Sequence, residues 1–177
     1  MALSAAACTL LLIDLQGRLM PAIAGADAVV ANVGRLAEAA RLLDVPILAT
    51  EQNPAGLGGT VEALAALPLA TLPKTFFDAT REAAFDGFLP PERSTLVVAG
   101  CETHVCVLQT VLGLLEKGRS VALVRDAVGS RRQENRDAAL ERAKAHGAEL
   151  VTTEMVIFEW LGASDHPGFR EALNLVR

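Results

Sequence analysis

The chain has 177 residues and a net charge of -5, with 51% hydrophobic against 21% charged residues. A pI near 5.2 argues against nucleic acid and anionic membrane surfaces as main partners on electrostatic grounds. A mean hydropathy of +0.35 suits one domain, residues 1–177, whose sheet is covered on both faces and which buries further apolar surface as a homo-oligomer.

Ala2 to Ile13 is apolar but lacks a basic n-region, so no signal peptide is expected, and no uncharged apolar run reaches 18 residues, so no membrane span is expected. Thr9–Asp14 reads as a first strand that ends in a carboxylate. Gly17 to Gly25 reads as an irregular connection. Val29, Val33, Leu36, Ala40 and Leu43 carry helical spacing over Ala28–Leu43, and Val45–Thr50 forms a second strand. Pro54 and the glycines predict a loop over Glu51–Gly59, followed by a short helix over Thr60–Leu67. Leu69–Lys74 is a weak third strand, placed at a sheet edge by Pro73. Phe76, Phe77, Phe85 and Phe88 form the densest aromatic patch of a chain without tyrosine. Thr95–Ala99 is a β-branched run that suits a central parallel strand, and Gly100 ends it. The helix over His104–Lys117 has Thr103 at its expected N-cap and Gly118 at C′. Ser120–Val124 is a further strand. Ser130 and Gln133 have capping-box spacing before a helix over Glu134–His146. Glu149–Thr152 is the last strand, and Met155–Leu161 and Pro167–Val176 are terminal helices. Strands alternating with helices at this pitch predict an α/β fold, a three-layer αβα sandwich on a six-stranded parallel sheet.

This topology gives Cys106 a distinctive position, in the first helical turn after a central strand. Free backbone N–H groups and the helix dipole there favour thiolate over thiol. Asp14 and Lys74 each end a strand at the same sheet edge, where open α/β sheets bind ligands. A thiol nucleophile needs a base, which a carboxylate supplies, and a lysine beside both would hold the charge. Against this, a helical cysteine is commonly a small core residue, a strand-end aspartate a turn residue and a lone lysine a surface group.

Leu-Leu-Ile-Asp14-Leu-Gln16, Pro-Lys74-Thr-Phe-Phe, Gly100-Cys-Glu-Thr-His-Val-Cys106-Val and Asp126-Ala-Val-Gly-Ser130-Arg131 together resemble the signature blocks of the isochorismatase-like cysteine hydrolases. The blocks at Thr50–Gly58 and Ser164–Phe169 are most similar to the isochorismatase domain-containing protein branch. The resemblance implies an isochorismatase-like, Rossmann-like fold and an Asp14–Lys74–Cys106 triad. It implies that Cys106 attacks a carbonyl, that Asp14 serves as base and then acid, and that the product of attack is a thioester. It further implies a cis peptide between Cys101 and Glu102, with the backbone N–H groups of Glu102 and Cys106 as an oxyanion hole.

Departures from the family pattern narrow the chemistry. Residues 51–70 contain no histidine or aspartate, and His104, His146 and His166 are far apart, so no metal site and no cofactor are expected and nicotinamidase is disfavoured. Cys106 also disfavours the enol-ether reaction that names the family. The expected function is hydrolysis of a small amide, carbamoyl or related C–N bond. Gln52, Phe76, Phe77 and His104 are weaker candidates for the substrate pocket. Cys8 and Cys101 read as buried thiols, and three cysteines without a secretory signal point to a reducing cytoplasm. Two alternatives remain: a non-catalytic small-molecule or protein-binding module on the same fold, and a thiol redox switch.

Overall fold

The structure, a computed structural model, describes residues 2–177. Its sheet comprises β1 (Cys8–Ile13), β2 (Ile47–Gln52), β3 (Ala70–Lys74), β4 (Thr95–Cys101), β5 (Ser120–Gly129) and β6 (Glu149–Val151), all parallel in the order β3-β2-β1-β4-β5-β6. The helices are α1 (Ala26–Leu42), α2 (Pro54–Leu57), α3 (Glu62–Ala65), α4 (Phe85–Phe88), α5 (Leu108–Glu116), α6 (Gln133–Ala145), α7 (Thr153–Leu161) and α8 (Phe169–Leu175). The expected six-stranded sandwich is present.

Alternation along each buried strand divides the core in two. Leu10, Leu12, Val97, Ala99, Ala122 and Val124 pack against Val33 and Leu36 of α1, Val156 and Trp160 of α7 and Ala172 of α8. Leu11, Ile13, Leu96, Val98, Val121 and Leu123 point the other way, onto Val111 and Leu114 of α5 and Leu140 and Ala143 of α6. Near-continuous apolar strands are what a sheet covered on both faces requires. Chain direction across the sheet reverses between β1 and β4, which is the switch point where such folds place a ligand crevice.

Several boundaries differ from the sequence expectation. β2 continues through Glu51 and Gln52, placed in a loop above, because they pair with Pro73 and Lys74 of the edge strand β3. β4 continues through Gly100 and Cys101. Gly100 has φ +128°, and a Cβ there would run into the Ile13 backbone, so only glycine lets β4 pass this close to β1. After an irregularity in register, β5 continues past Arg125 and Asp126 to pair Val128 with Gly100 and Gly129 with Cys101. The short helix expected over Thr60–Leu67 is reduced to α3. The Cys101–Glu102 peptide is cis.

Two expected caps do not form. Thr103 opens a π-helical segment, Thr103–Val107, that leads into α5, and its Oγ1 is buried without a hydrogen-bond partner. Ser130 does not cap α6, which starts after Arg132 with no side-chain cap; Ser130 is buried and its Oγ lies 3.0 Å from His104 Nδ1. Thr152 caps α7 instead, accepting from the Met155 N–H at 3.3 Å, so that helix begins before Met155.

Candidate active site

The sheet edge places three side chains from distant parts of the chain together. Asp14 follows β1 with φ +50°, Lys74 ends β3, and Cys106 lies in the π-helical turn after β4. Their fractional exposures are 0%, 3% and 6%. Lys74 Nζ lies 2.8 Å from Asp14 Oδ2, and both side chains are out of contact with solvent.

The lysine also reaches other acceptors. Nζ donates to Gln52 Oε1 at 2.6 Å and to the carbonyls of Phe76 at 3.2 Å and Phe77 at 3.4 Å. Asp14 Oδ2 is held by the Lys74 ammonium at 2.8 Å, while Oδ1 accepts from Thr50 Oγ1 at 2.7 Å.

Cys106 is a thiol at rest. Burial first, and then the Asp14 charge, push its pKa up to about 12, against a smaller opposing pull from Lys74. The first-turn position therefore does not by itself produce a thiolate. Desolvation and a carboxylate neighbour both favour the neutral thiol. Cys106 Sγ donates to Gln52 Oε1 across 3.9 Å.

Of the weaker candidates, Gln52 reaches both Lys74 and Cys106. Phe76 and Phe77 contribute carbonyls, while the residues are 41% and 50% exposed and the Phe76 ring lies under the Arg81 guanidinium. His104 is turned toward Ser130. The Glu102 carboxylate accepts from the Arg131 backbone N–H at 2.9 Å and from Arg131 Nε at 3.1 and 3.2 Å.

Two residues of this network carry no assignment from the sequence. Thr50 orients Asp14. Gln16 is fully buried and bonds both backbone groups of Gln52, accepting from its N–H at 2.8 Å and donating to its carbonyl at 3.1 Å, and it also donates to the Gly58 carbonyl at 2.6 Å. Gln16 stands in the same sequence block as Asp14; a buried amide two residues past a strand-end acid is the available signal. Among the described residues, no three His, Cys, Asp or Glu side chains lie close enough to hold a metal ion, and no helix is long and apolar enough to cross a membrane.

The family model of the isochorismatase domain matches residues 8–155. The mouse isochorismatase domain-containing protein 2A is 39% identical over 170 residues, covering 95% of this chain and 82% of its own. The structure of the MAR1 ribonuclease from Caenorhabditis elegans aligns with a TM-score of 0.93 at 35% identity, over 99% of this chain and 92% of that one. YcaC from Pseudomonas aeruginosa, solved with hexane-2,5-diol and covalent acrylamide, aligns with a TM-score of 0.88 at 28% identity, over 98% and 91%.

Proposed function

The chain belongs to the isochorismatase family of hydrolases, and on that premise we propose that it hydrolyses a small amide, carbamoyl or related C–N bond through a thioester on Cys106. The observation that carries this reading is the buried Asp14 carboxylate, paired with the Lys74 ammonium at 2.8 Å and beside a Cys106 thiol whose pKa its charge helps to raise.

The chemistry follows from that arrangement. As Cys106 Sγ bonds to the substrate carbonyl carbon, its proton passes to Asp14 and the carbonyl π electrons move onto oxygen. The backbone N–H groups of Glu102 and Cys106 receive that oxyanion. Lys74 keeps the buried site neutral throughout: the ammonium first balances the Asp14 carboxylate, and then, with Asp14 protonated, it balances the oxyanion. Collapse of the adduct breaks the C–N bond, and the departing nitrogen takes the proton from Asp14. Water then attacks the thioester while Asp14 accepts its proton. The second collapse releases the acid and returns the proton to sulfur. A resting thiol with a high pKa suits this scheme, because the nucleophile forms only as the base takes its proton.

The thioester route needs no cofactor. The small-molecule reading also fits the charge of -5, which opposes a polyanionic substrate; the ribonuclease name belongs to the nematode neighbour. We also expect a homo-oligomer, which would cover exposed apolar side chains such as Met155 and Phe158 of α7, and sedimentation would measure it. The free state of all three cysteines is consistent with a reducing cytoplasm.

The test is turnover of a panel of small amides and N-carbamoyl compounds, with acid-quenched samples examined by intact mass spectrometry. An acyl adduct is expected on Cys106, and Cys106→Ala should abolish both adduct and turnover. Turnover that survives Cys106→Ala would remove the thioester mechanism. A folded wild-type protein inert to the whole panel would favour the binding-module alternative.

A further inference from the structure

The side-chain amide of Gln52 is held at both ends, which fixes the atom that it presents to the nucleophile. Its Nε2 donates to the Thr75 carbonyl at 2.8 Å, and its Oε1 accepts from Lys74 Nζ at 2.6 Å. An ammonium only donates and a carbonyl only accepts, so a flipped amide would lose both bonds. The backbone is held as well, because Gln16 bonds the Gln52 N–H and carbonyl together. Oε1 is therefore a preorganised acceptor 3.9 Å from Cys106 Sγ, with one lone pair committed to Lys74.

From this juxtaposition we propose that Gln52 is a specificity residue, which admits substrates bearing an N–H on the attacked carbonyl carbon and rejects the corresponding esters. The inference rests on the thioester reading and deepens it, naming primary amides and carbamoyl groups as the class. A carbonyl carbon approaches Sγ at about 3–3.5 Å before attack. A nitrogen on that carbon, one bond farther on and turned toward Gln52, can then sit about 2.9 Å from Oε1, the distance of a good N–H···O bond. An ester places an oxygen there instead. Two acceptors then face each other, and Oε1 loses a partner in a largely dry site.

The experiment compares benzamide with methyl benzoate and butyramide with methyl butyrate, using wild type and Gln52→Met. Methionine is similar in length and lacks the acceptor. Both kcat/KM values should fall, because Lys74 also loses its Gln52 acceptor, but the amide should lose about tenfold more than the ester, so the amide-to-ester ratio falls about tenfold. Equal losses on both members of a pair would overturn the proposal, since a general loss of packing lowers both. The same pairs are also tested by ligand-observed NMR on Cys106→Ser, which needs neither turnover nor a Gln52 variant. Binding of the amide and not of its ester supports the Gln52 acceptor; equal binding overturns it. An inert wild type whose Cys106→Ser form still selects the amide would count against the thioester reading alone.

Discussion

Asp14 faces two neighbours that make opposite demands on it. Lys74 is paired with it out of solvent, and Cys106 is kept protonated by burial and by the same carboxylate. Asp14→Asn separates these roles. Without the acid charge, Lys74 still favours the thiolate, so the Cys106 pKa should fall from about 12. Iodoacetamide at pH 8 should then label Cys106 several-fold faster than in wild type, measured on the Cys106 peptide by mass spectrometry, while amide turnover disappears. An unchanged labelling rate would assign the high pKa to burial alone. The same substitution leaves a buried ammonium without its counter-charge, at a cost of about 3–5 kcal/mol. The urea midpoint should fall accordingly, and Asp14→Asn with Lys74→Met should recover part of that loss.

At the scale of elements, the site depends on how the β4 end meets the β5–α6 connection. Glu102 lies at that junction, between β4 and the π-helical segment. Its carboxylate is nearly buried and accepts both the backbone N–H and the side-chain Nε of Arg131. The Arg131 side chain is 62% exposed, so the ion pair adds at most about 1 kcal/mol to stability. Its consequence lies in holding the backbone N–H proposed to meet the oxyanion. Arg131→Ala should lower kcat about tenfold with KM changed less than about twofold, and Arg131→Lys should recover part of it. A raised KM with kcat retained would instead give Arg131 a role in binding. The extent of these elements is also where sequence reading stops short. β1 and the core of β4 are legible because their β-branched and apolar runs need no partner to be recognised. Glu51, Gln52, Arg125 and Asp126 carry no strand signal of their own; neighbouring strands impose extended backbone on them. Asp14, Lys74 and Cys106 are legible as strand-end and helix-start residues, and the topology brings them together. The hold of Gln16 on Gln52, and of Thr50 on Asp14, is long-range side-chain bonding that no local pattern encodes. The Cys106 pKa was unreadable for a related reason. The helix terminus is a local feature, whereas burial and the Asp14 charge exist only once β1 and β4 are side by side.

Across the whole molecule, the thiols make stability sensitive to alkali. Cys101, packed between β4 and α1 against Gly129, is pushed up to about 12 by burial, as Cys106 is, and burial raises Cys8 as well. In the unfolded chain these thiols return to ordinary values, about 8.5–9. Below about pH 8 both states are protonated and the thiols add no slope. Above about pH 9 the unfolded chain releases its thiol protons first while the fold retains them, so stability falls as pH rises toward about 12. Each strongly shifted thiol contributes up to about 1.4 kcal/mol per pH unit to that slope. The chain has no tyrosine and three lysines, so few other groups compete in this range. Urea midpoints at one fixed protein concentration should stay level from pH 6.5 to 8 and then decline from pH 9 to 10.5. Cys101→Ala leaves a small gap in the core and lowers every midpoint, so the slope is the measurement that matters. That variant should decline less steeply than wild type above pH 9, and Cys101→Ala with Cys106→Ala less steeply again. A wild-type profile that stays level to pH 10.5 would mean that the thiols are already solvated in the fold. The protonated resting nucleophile on which the proposed mechanism depends would then be lost with it.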